Sequence, residues 1–136
     1  MPDNKILLKH GSGGRAMHEL IKELLLKKLG NPILNQLSDG ALLPRKIVFT
    51  TDSFVVQPLF FPGGDIGKLA VCGTVNDLVV MGAEPQYLSL GLIIEAGLKK
   101  ETLSRVIDSL AAAAKGAGVK VVTGDLKVVE SGCCDQ

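Results

Sequence analysis

The sequence predicts a single globular domain in which α-helices pack on one β-sheet. Of the 136 residues, 46% are hydrophobic, which is enough to form a core. Short strand-like runs alternate with longer segments whose apolar residues recur at helical spacing. Glycine and proline turn signals separate these segments. The resulting order of strand, helix, strand, helix, strand, helix and strand is typical of helices packed on a sheet.

The first half of the chain is predicted to contribute two strands and one helix. The helix is indicated by apolar residues at helical spacing, and Gly30, Asn31 and Pro32 end it. The second strand is indicated by a β-branched run. In chain order, the predicted elements are a strand at 5–9, a glycine-rich loop at 10–14, a helix at 15–29, a loop at 33–45 and a strand at 46–51.

The second half is predicted to contribute two helices and two strands. Asp65 follows a turn-rich stretch and is positioned to cap a helix that is apolar on nearly all sides. The next strand alternates, with Leu88, Leu90, Leu92 and Ile94 on one face. The predicted elements are a helix from 65 to about 81, a strand at 87–94, a helix at 99–117, a strand at 119–123, a turn at Gly124-Asp125 and an extension at 127–130.

The composition argues against several classes of partner and location. Fifteen Lys and Arg against fourteen Asp and Glu leave a net charge of +1, so neither a nucleic acid nor an anionic membrane is indicated. No apolar run is long enough for a membrane span, and residues 1–5 lack the apolar core of a signal peptide, so a cytoplasmic protein is expected. The three cysteines fit neither a disulfide framework nor a zinc site. Cys72 is expected to be a core residue.

Three aspartates interrupt apolar or small-residue sequence, namely Asp52, Asp77 and Asp125. A carboxylate in such surroundings needs a cationic or hydrogen-bonding partner. A shared Mg²⁺ would serve all three, because this ion binds a few carboxylates and keeps positions for phosphates. The alternative is that Asp52 caps a turn, Asp77 faces solvent and Asp125 closes an Asx-turn.

Two further features suggest phosphate binding. The loop Gly11-Ser12-Gly13-Gly14 precedes a helix and can present backbone N–H groups to a phosphate, although a plain glycine-rich turn explains it equally well. It is neither a Walker A motif nor a dinucleotide fingerprint. Lys127 follows Asp125 by two residues and could reach a phosphate or simply be solvated.

Taken together and in order, five segments resemble the amino-terminal domain of the HypE family of hydrogenase-maturation proteins. This family lies within the aminoimidazole-ribonucleotide-synthetase (PurM-like) superfamily. The resemblance covers nearly the whole chain. The segments are His10-Gly11-Ser12-Gly13-Gly14, Thr51-Asp52-Ser53-Phe54, the proline-bounded run from Pro58 to Gly64, the helix segment from Gly67 to Ala83, and Thr123-Gly124-Asp125-Leu126-Lys127.

The resemblance implies an α+β two-layer sandwich with a mixed β-sheet and helices on one face, which dimerises and binds Mg-ATP near the subunit boundary. It implies catalytic roles for Asp77 and Lys127 and a metal site at Asp52, Asp77 and Asp125. The nucleotide-binding positions that it implies are Gly11, Ser12, Gly13, Gly14, Asp52, Asn76, Gly124, Asp125 and Lys127.

The function implied by the resemblance is [NiFe]-hydrogenase maturation. A carbamoyl group on a carboxy-terminal cysteine is dehydrated to a thiocyanate in an ATP-dependent step, and the cyanide passes to iron. The implied partners are a HypF-like carbamoyl donor, the HypC–HypD complex and a second copy of the chain. The apolar face formed by Leu88, Leu90, Leu92 and Ile94 would need to be covered if the helices pack on the other side of the sheet. A second copy of the chain would cover it, so a homodimer is expected.

Family members are longer than this chain, with a second domain and a tail that carries the acceptor cysteine. We therefore expect residues 1–136 to be the amino-terminal ATP-binding and dimerisation domain, and neither Cys133 nor Cys134 to be the acceptor. One alternative is a catalytically silent dimerisation module. Another is a different superfamily enzyme, such as a selenophosphate synthetase or a thiamine-monophosphate kinase. Selenophosphate synthetases are expected to carry a reactive Cys or Sec near the first glycine loop, where this chain has none.

Overall fold

The computed structural model describes residues 5–133. The chain begins with a 3₁₀ turn, Leu8–Gly11, rather than with the strand predicted at 5–9. That prediction is wrong because a strand needs a neighbour, and within the described residues none pairs with this segment. Ile6 and Leu8 remain 70% and 91% exposed. The backbone N–H of Leu7 instead donates to Nδ1 of His10 at 2.9 Å, which closes the turn.

Helix α1 follows the glycine loop, as predicted. It is α-helical over Arg15–Leu20, π-helical over Ile21–Leu26 and α-helical again over Lys27–Leu29. A short 3₁₀ turn, Leu34–Gln36, comes next, and Leu37 after it has a positive φ of 50°. None of the residues of α1 is buried.

The predicted loop at 33–45 contains a strand that the sequence did not reveal. β1 (Ala41–Leu43) pairs antiparallel with β2 (Ile47–Phe49) through a 3₁₀ turn at Pro44–Lys46. β1 has only three residues, which is too short to display an alternating pattern. β2 confirms the second predicted strand, although it is shorter than 46–51.

Helix α2 (Ile66–Val80) begins directly after Asp65, which caps it as predicted. A small antiparallel hairpin of β3 (Phe60–Phe61) and β4 (Gly64–Asp65) leads into it. The Asp65 carboxylate accepts hydrogen bonds from the backbone N–H groups of Gly67 and Lys68 at 2.8 and 3.1 Å, which satisfies two donors of the first helical turn. The helix gives way to a turn at Gly82, whose φ is 74°.

β5 (Tyr87–Glu95), α3 (Lys100–Gly116) and β6 (Lys120–Val129) form one β–α–β unit with the two strands parallel. The turn predicted at Gly124-Asp125 is wrong, because β6 runs straight through it. Gly124 lies opposite Leu90, and a β-carbon on Gly124 would lie 2.6 Å from the Leu90 carbonyl oxygen. The glycine therefore permits close approach of two strands rather than a reversal.

The core forms where α2 and α3 pack on β5. Gly67 lets α2 approach the backbone of α3 at Val106. Leu88 and Leu90 contact this core, so the apolar face predicted to need a second copy is the face that the helices cover. The buried cluster consists of Val71, Leu110, Ala114 and Val119, packed against the half-buried Val75, Leu88, Leu90 and Ala113.

The predicted α+β class, with helices on one face of the strands, is confirmed. Strand pairing is of both kinds, two antiparallel pairs and one parallel pair, and in the described residues these pairs are separate. Of the helices in residues 5–133, none combines the length and the apolar character needed to cross a membrane.

Candidate functional site

Two of the three predicted aspartates lie along one side of α2. The segment 50–54 runs antiparallel to this helix, so Thr50 lies near Asp77 and Asp52 lies near Gly73. Gly73 and Asp77 are four residues apart, which places them on the same face of a helix. The fold therefore brings Asp52 and Asp77 to one surface of α2.

Asp77 is half-buried, and its partner is a hydroxyl group. Oγ1 of Thr50 lies 3.5 Å from Oδ2 of Asp77 and donates a shorter bond, 2.8 Å, to the backbone carbonyl oxygen of Asp39. Because the single proton of this hydroxyl points to Asp39, Thr50 contacts the Asp77 carboxylate only at the outer limit of hydrogen bonding. Sequence reasoning missed Thr50 and Asp39, because their contacts depend on how three separate segments meet.

Asp52 is more open than Asp77. Its side chain is exposed, and Oδ1 accepts a hydrogen bond from the backbone N–H of Ser53 at 2.9 Å. Asn76, the predicted polar partner of a nucleotide, is also exposed on α2. Asp52 and Asn76 are therefore accessible to a ligand at this surface.

Asp125 and Lys127 lie elsewhere, on β6. They are opposite Gly91 and Ile93, on the face of the β5–β6 pair that the helices leave open. Nζ of Lys127 contacts both carboxylate oxygens of Asp125, at 2.6 Å for Oδ1. Because the pair is well exposed, it contributes little to stability. Gly124 beside it is exposed as well.

The glycine loop is exposed throughout. Gly13 has a φ of 75°, and nothing lies within 4 Å of the positions where side chains would be at Gly11 or Gly13. Oγ of Ser12 donates to the carbonyl oxygen of Lys9 at 2.9 Å. The loop that ends at Gly14 is therefore accessible from solvent.

Within residues 5–133, no three His, Cys, Asp or Glu side chains come together to hold a metal ion. The sequence-predicted set is divided between two places: Asp77 on α2 with Asp52 on the segment beside it, and Asp125 on β6. The donors that do meet beside α2 are carboxylate and hydroxyl oxygens, the atoms that Mg²⁺ prefers. They leave positions for other oxygen ligands.

Asp65 ties the start of α2 to α3 through a bond that the sequence did not predict. Oγ of Ser109 donates to Oδ2 of Asp65 at 2.5 Å. Burial alone would raise the pKa of this carboxyl group, but the hydrogen bonds from Ser109 and from the backbone of Lys68 and Gly67 outweigh it and lower the pKa below its ordinary value. The carboxylate is therefore held ionised between the two helices.

The cysteines differ in part from expectation. Cys72 is exposed, so its predicted place in the core is wrong, because it lies about 100° round the helix from the buried Val71. Cys133 is exposed too, and Cys134 lies outside the described residues.

Comparison with known families identifies the class of protein. The model for the amino-terminal domain of AIR synthase-related proteins matches residues 37–135, and the chain belongs to this family. Within the family it is similar to HypE. Over 98% of its length it is 50% identical to the carbamoyl dehydratase HypE of Escherichia coli K12, and the match covers 42% of that protein.

Two solved structures are also similar to the chain. HypE in a HypE–HypF complex is 54% identical, with a TM-score of 0.82 over 86% of this chain and 38% of that one. HypE in complex with ATP is 52% identical, with a TM-score of 0.61 over 97% of this chain and 40% of that one. The chain thus spans about two fifths of the length of the relatives that it matches.

Proposed function

We propose that residues 1–136 are the Mg-ATP-binding and dimerisation part of a HypE-type hydrogenase-maturation protein. The observation that carries this proposal is the match over 97% of the chain to a HypE structure in complex with ATP. The arrangement of Asp52, Asp77 and Thr50 beside α2 supports it, since these oxygen ligands suit Mg²⁺.

In this proposal Asp52 and Asp77 hold the metal ion that accompanies the nucleotide, and the exposed Asn76 contacts the nucleotide itself. The loop from Gly11 to Gly14 covers the phosphates with backbone N–H groups. A bound Mg²⁺ would neutralise charge on the phosphates and make the terminal one a better electrophile.

Asp125 and Lys127 act from the open face of β6. Their mutual ion pair opens when the ligand binds, because a phosphate attracts Lys127 and a cation attracts Asp125. Gly124, next to Asp125, would contact the ligand only through its exposed backbone. The nucleotide lies near the boundary between two copies of the chain, so the open β5–β6 face belongs to a homodimer.

For the whole protein we propose ATP-dependent dehydration of a carbamoyl group on a carboxy-terminal cysteine. Transfer of the terminal phosphoryl group to the carbamoyl oxygen creates a leaving group. Loss of phosphate and of the two nitrogen protons then leaves a thiocyanate. The carbamoyl donor is a HypF-like protein, in line with the HypE–HypF structure, and the cyanide acceptor is a HypC–HypD complex. We place this chemistry in the cytoplasm.

Isothermal titration of the 136-residue chain with ATP tests the proposal, with and without Mg²⁺. We expect Mg²⁺-dependent binding that Asp77→Asn weakens by at least about tenfold, because the change keeps the shape of the side chain and removes its charge. The exposed Asp108, on α3, provides the control variant Asp108→Asn. If the unaltered chain does not bind ATP, the alternative of a catalytically silent dimerisation module is favoured. Equal binding by Asp77→Asn would remove Asp77 from the site.

A further inference from the structure

Phe54 and Gly73 meet where the segment 50–54 crosses α2. A β-carbon on Gly73 would lie 2.6 Å from Cζ and 2.7 Å from Cε1 of Phe54. Such distances are far inside normal carbon–carbon contact, which is about 3.5–4.0 Å. The half-buried ring of Phe54 therefore fills the space that a side chain at position 73 would need.

Asp52 lies between two anchors. On one side Thr50 is bound to the carbonyl oxygen of Asp39 at 2.8 Å and lies 3.5 Å from Asp77. On the other side the ring of Phe54 rests on Gly73. In the described part of the chain, Asp52 itself is hydrogen-bonded only to the neighbouring amide of Ser53. Its position beside α2 thus depends on residues 50 and 54 rather than on bonds of its own.

The same glycine is adjacent to the carboxylate. Oδ2 of Asp52 would lie 3.8 Å from a β-carbon on Gly73, in ordinary van der Waals contact. Asp77 is one helical turn further along α2 on the same face. The Phe54 ring and the Asp52 carboxylate thus share the surface of α2 at Gly73, and a side chain at position 73 would crowd both.

We propose that Gly73 and Phe54 are positioning residues, which hold the carboxylate of Asp52 beside Asp77 for the cation that accompanies the nucleotide. This inference rests on the proposed binding of Mg-ATP. Neither residue contacts the ligand. Their effect passes through Asp52.

A double-mutant cycle on the 136-residue chain tests the pair. Gly73→Ala pushes the ring away, and Phe54→Leu removes the ring but keeps an apolar side chain. We expect each variant to weaken Mg²⁺-dependent ATP binding by about tenfold, as is usual for residues that orient metal ligands. The double variant should lose no more than either single variant, because both changes break the same contact.

Thermal stability distinguishes positioning from a general structural role. Alanine is favoured over glycine inside a helix, so Gly73→Ala should leave the melting temperature near that of the unaltered chain while binding weakens. Gly116→Ala is the matched control. Gly116 also lies in a helix, α3, and has nothing within 4 Å of its β-carbon position. The Gly116→Ala variant should therefore bind ATP as the unaltered chain does. Unchanged binding by Gly73→Ala, or losses that add in the double variant, would overturn the inference.

A second measurement needs no nucleotide and separates this inference from the proposed function. In amide NMR spectra, Gly73→Ala should shift the signals of Asp52 and Ser53, whereas Gly116→Ala should not. If the unaltered chain binds no ATP but these shifts occur, the packing claim holds and the ATP proposal fails. If Asp52 and Ser53 do not shift, the positioning role is refuted whatever the chain binds.

Discussion

The chain has two regions that differ in how they are held together. The core region, residues 65–129, contains every buried residue of the described chain, from Asp65 to Val119. The amino-terminal region, residues 5–49, has none, and its helix α1 includes a π-helical stretch. The core region also balances seven basic with seven acidic residues, whereas the amino-terminal region has eight basic against three acidic.

This difference shows which region is stabilised by packing within one chain. α2, α3 and β5 bury one another's apolar faces, so the core region owes its order to contacts within one chain. The amino-terminal region leaves many leucines exposed, and its positive charge helps to keep them in solution. Its apolar surface is therefore available to a second copy or to another domain.

The largest expected effect comes from truncating matched leucines in the two regions. Leu110 is 6% exposed and Leu24 is 44% exposed. Leu110→Ala should lower the free energy of unfolding by about 3 kcal/mol, because a cavity forms among packed side chains. Leu24→Ala should change it by less than about 0.5 kcal/mol. Urea denaturation followed by circular dichroism measures both, and equal losses would show that the two regions share one core.

A smaller effect is expected at the hydrogen bond from Ser109 of α3 to Asp65, the cap of α2. The lowered pKa of Asp65 means that the folded state prefers the carboxylate, so its stabilisation is present above the ordinary carboxyl pKa and disappears as the pH falls through the lowered value. Asp65→Asn should cost about 1 kcal/mol at pH 7 and flatten this acid dependence. Melting temperatures between pH 7 and pH 3 measure it. Ser109→Ala should flatten the dependence in part, and an unaltered acid slope in both variants would contradict the assignment.

The smallest expected effect lies in the amino-terminal region, and it has the opposite sign. Leu37 has a left-handed backbone, which disfavours branched apolar residues. Leu37→Asn should raise stability by about 0.5 kcal/mol, since asparagine tolerates this conformation. Leu34→Asn is the control, because Leu34 is exposed to a similar extent without a positive φ. Equal changes in the two variants would mean that backbone strain at Leu37 does not limit stability.

The elements predicted correctly are those whose pattern is long and whose partners are near in the chain. α3 shows several turns of amphipathic pattern, and β5 alternates along most of its length. α2 is apolar on nearly all sides, and its start is marked instead by the cap at Asp65. The predicted strand at 5–9 failed because apolar composition alone does not supply a neighbouring strand. The predicted turn at Gly124-Asp125 is wrong because a glycine can mark two different features. It can reverse the chain direction, or, as here, it can let two neighbouring strands approach closely.

The candidate site was foreseen in its residue types but not in its geometry. The sequence indicated Asp52 and Asp77 because a carboxylate is costly in apolar surroundings. It could not indicate that Thr50 would face Asp77, or that Ser109 would bind Asp65. Those contacts join segments distant in the chain, and only packing brings them together.

The packing of α2 has a consequence for how the protein is made. Val71 on α2 is covered by Leu110 and Ala114 of α3, which the ribosome adds about forty residues later. At ordinary rates of synthesis this delay is roughly 2–8 s. The apolar helix α2 is therefore complete before the residues of α3 that cover it exist. A nascent-chain chaperone that binds apolar segments would meet α2 before the β–α–β unit packs against it.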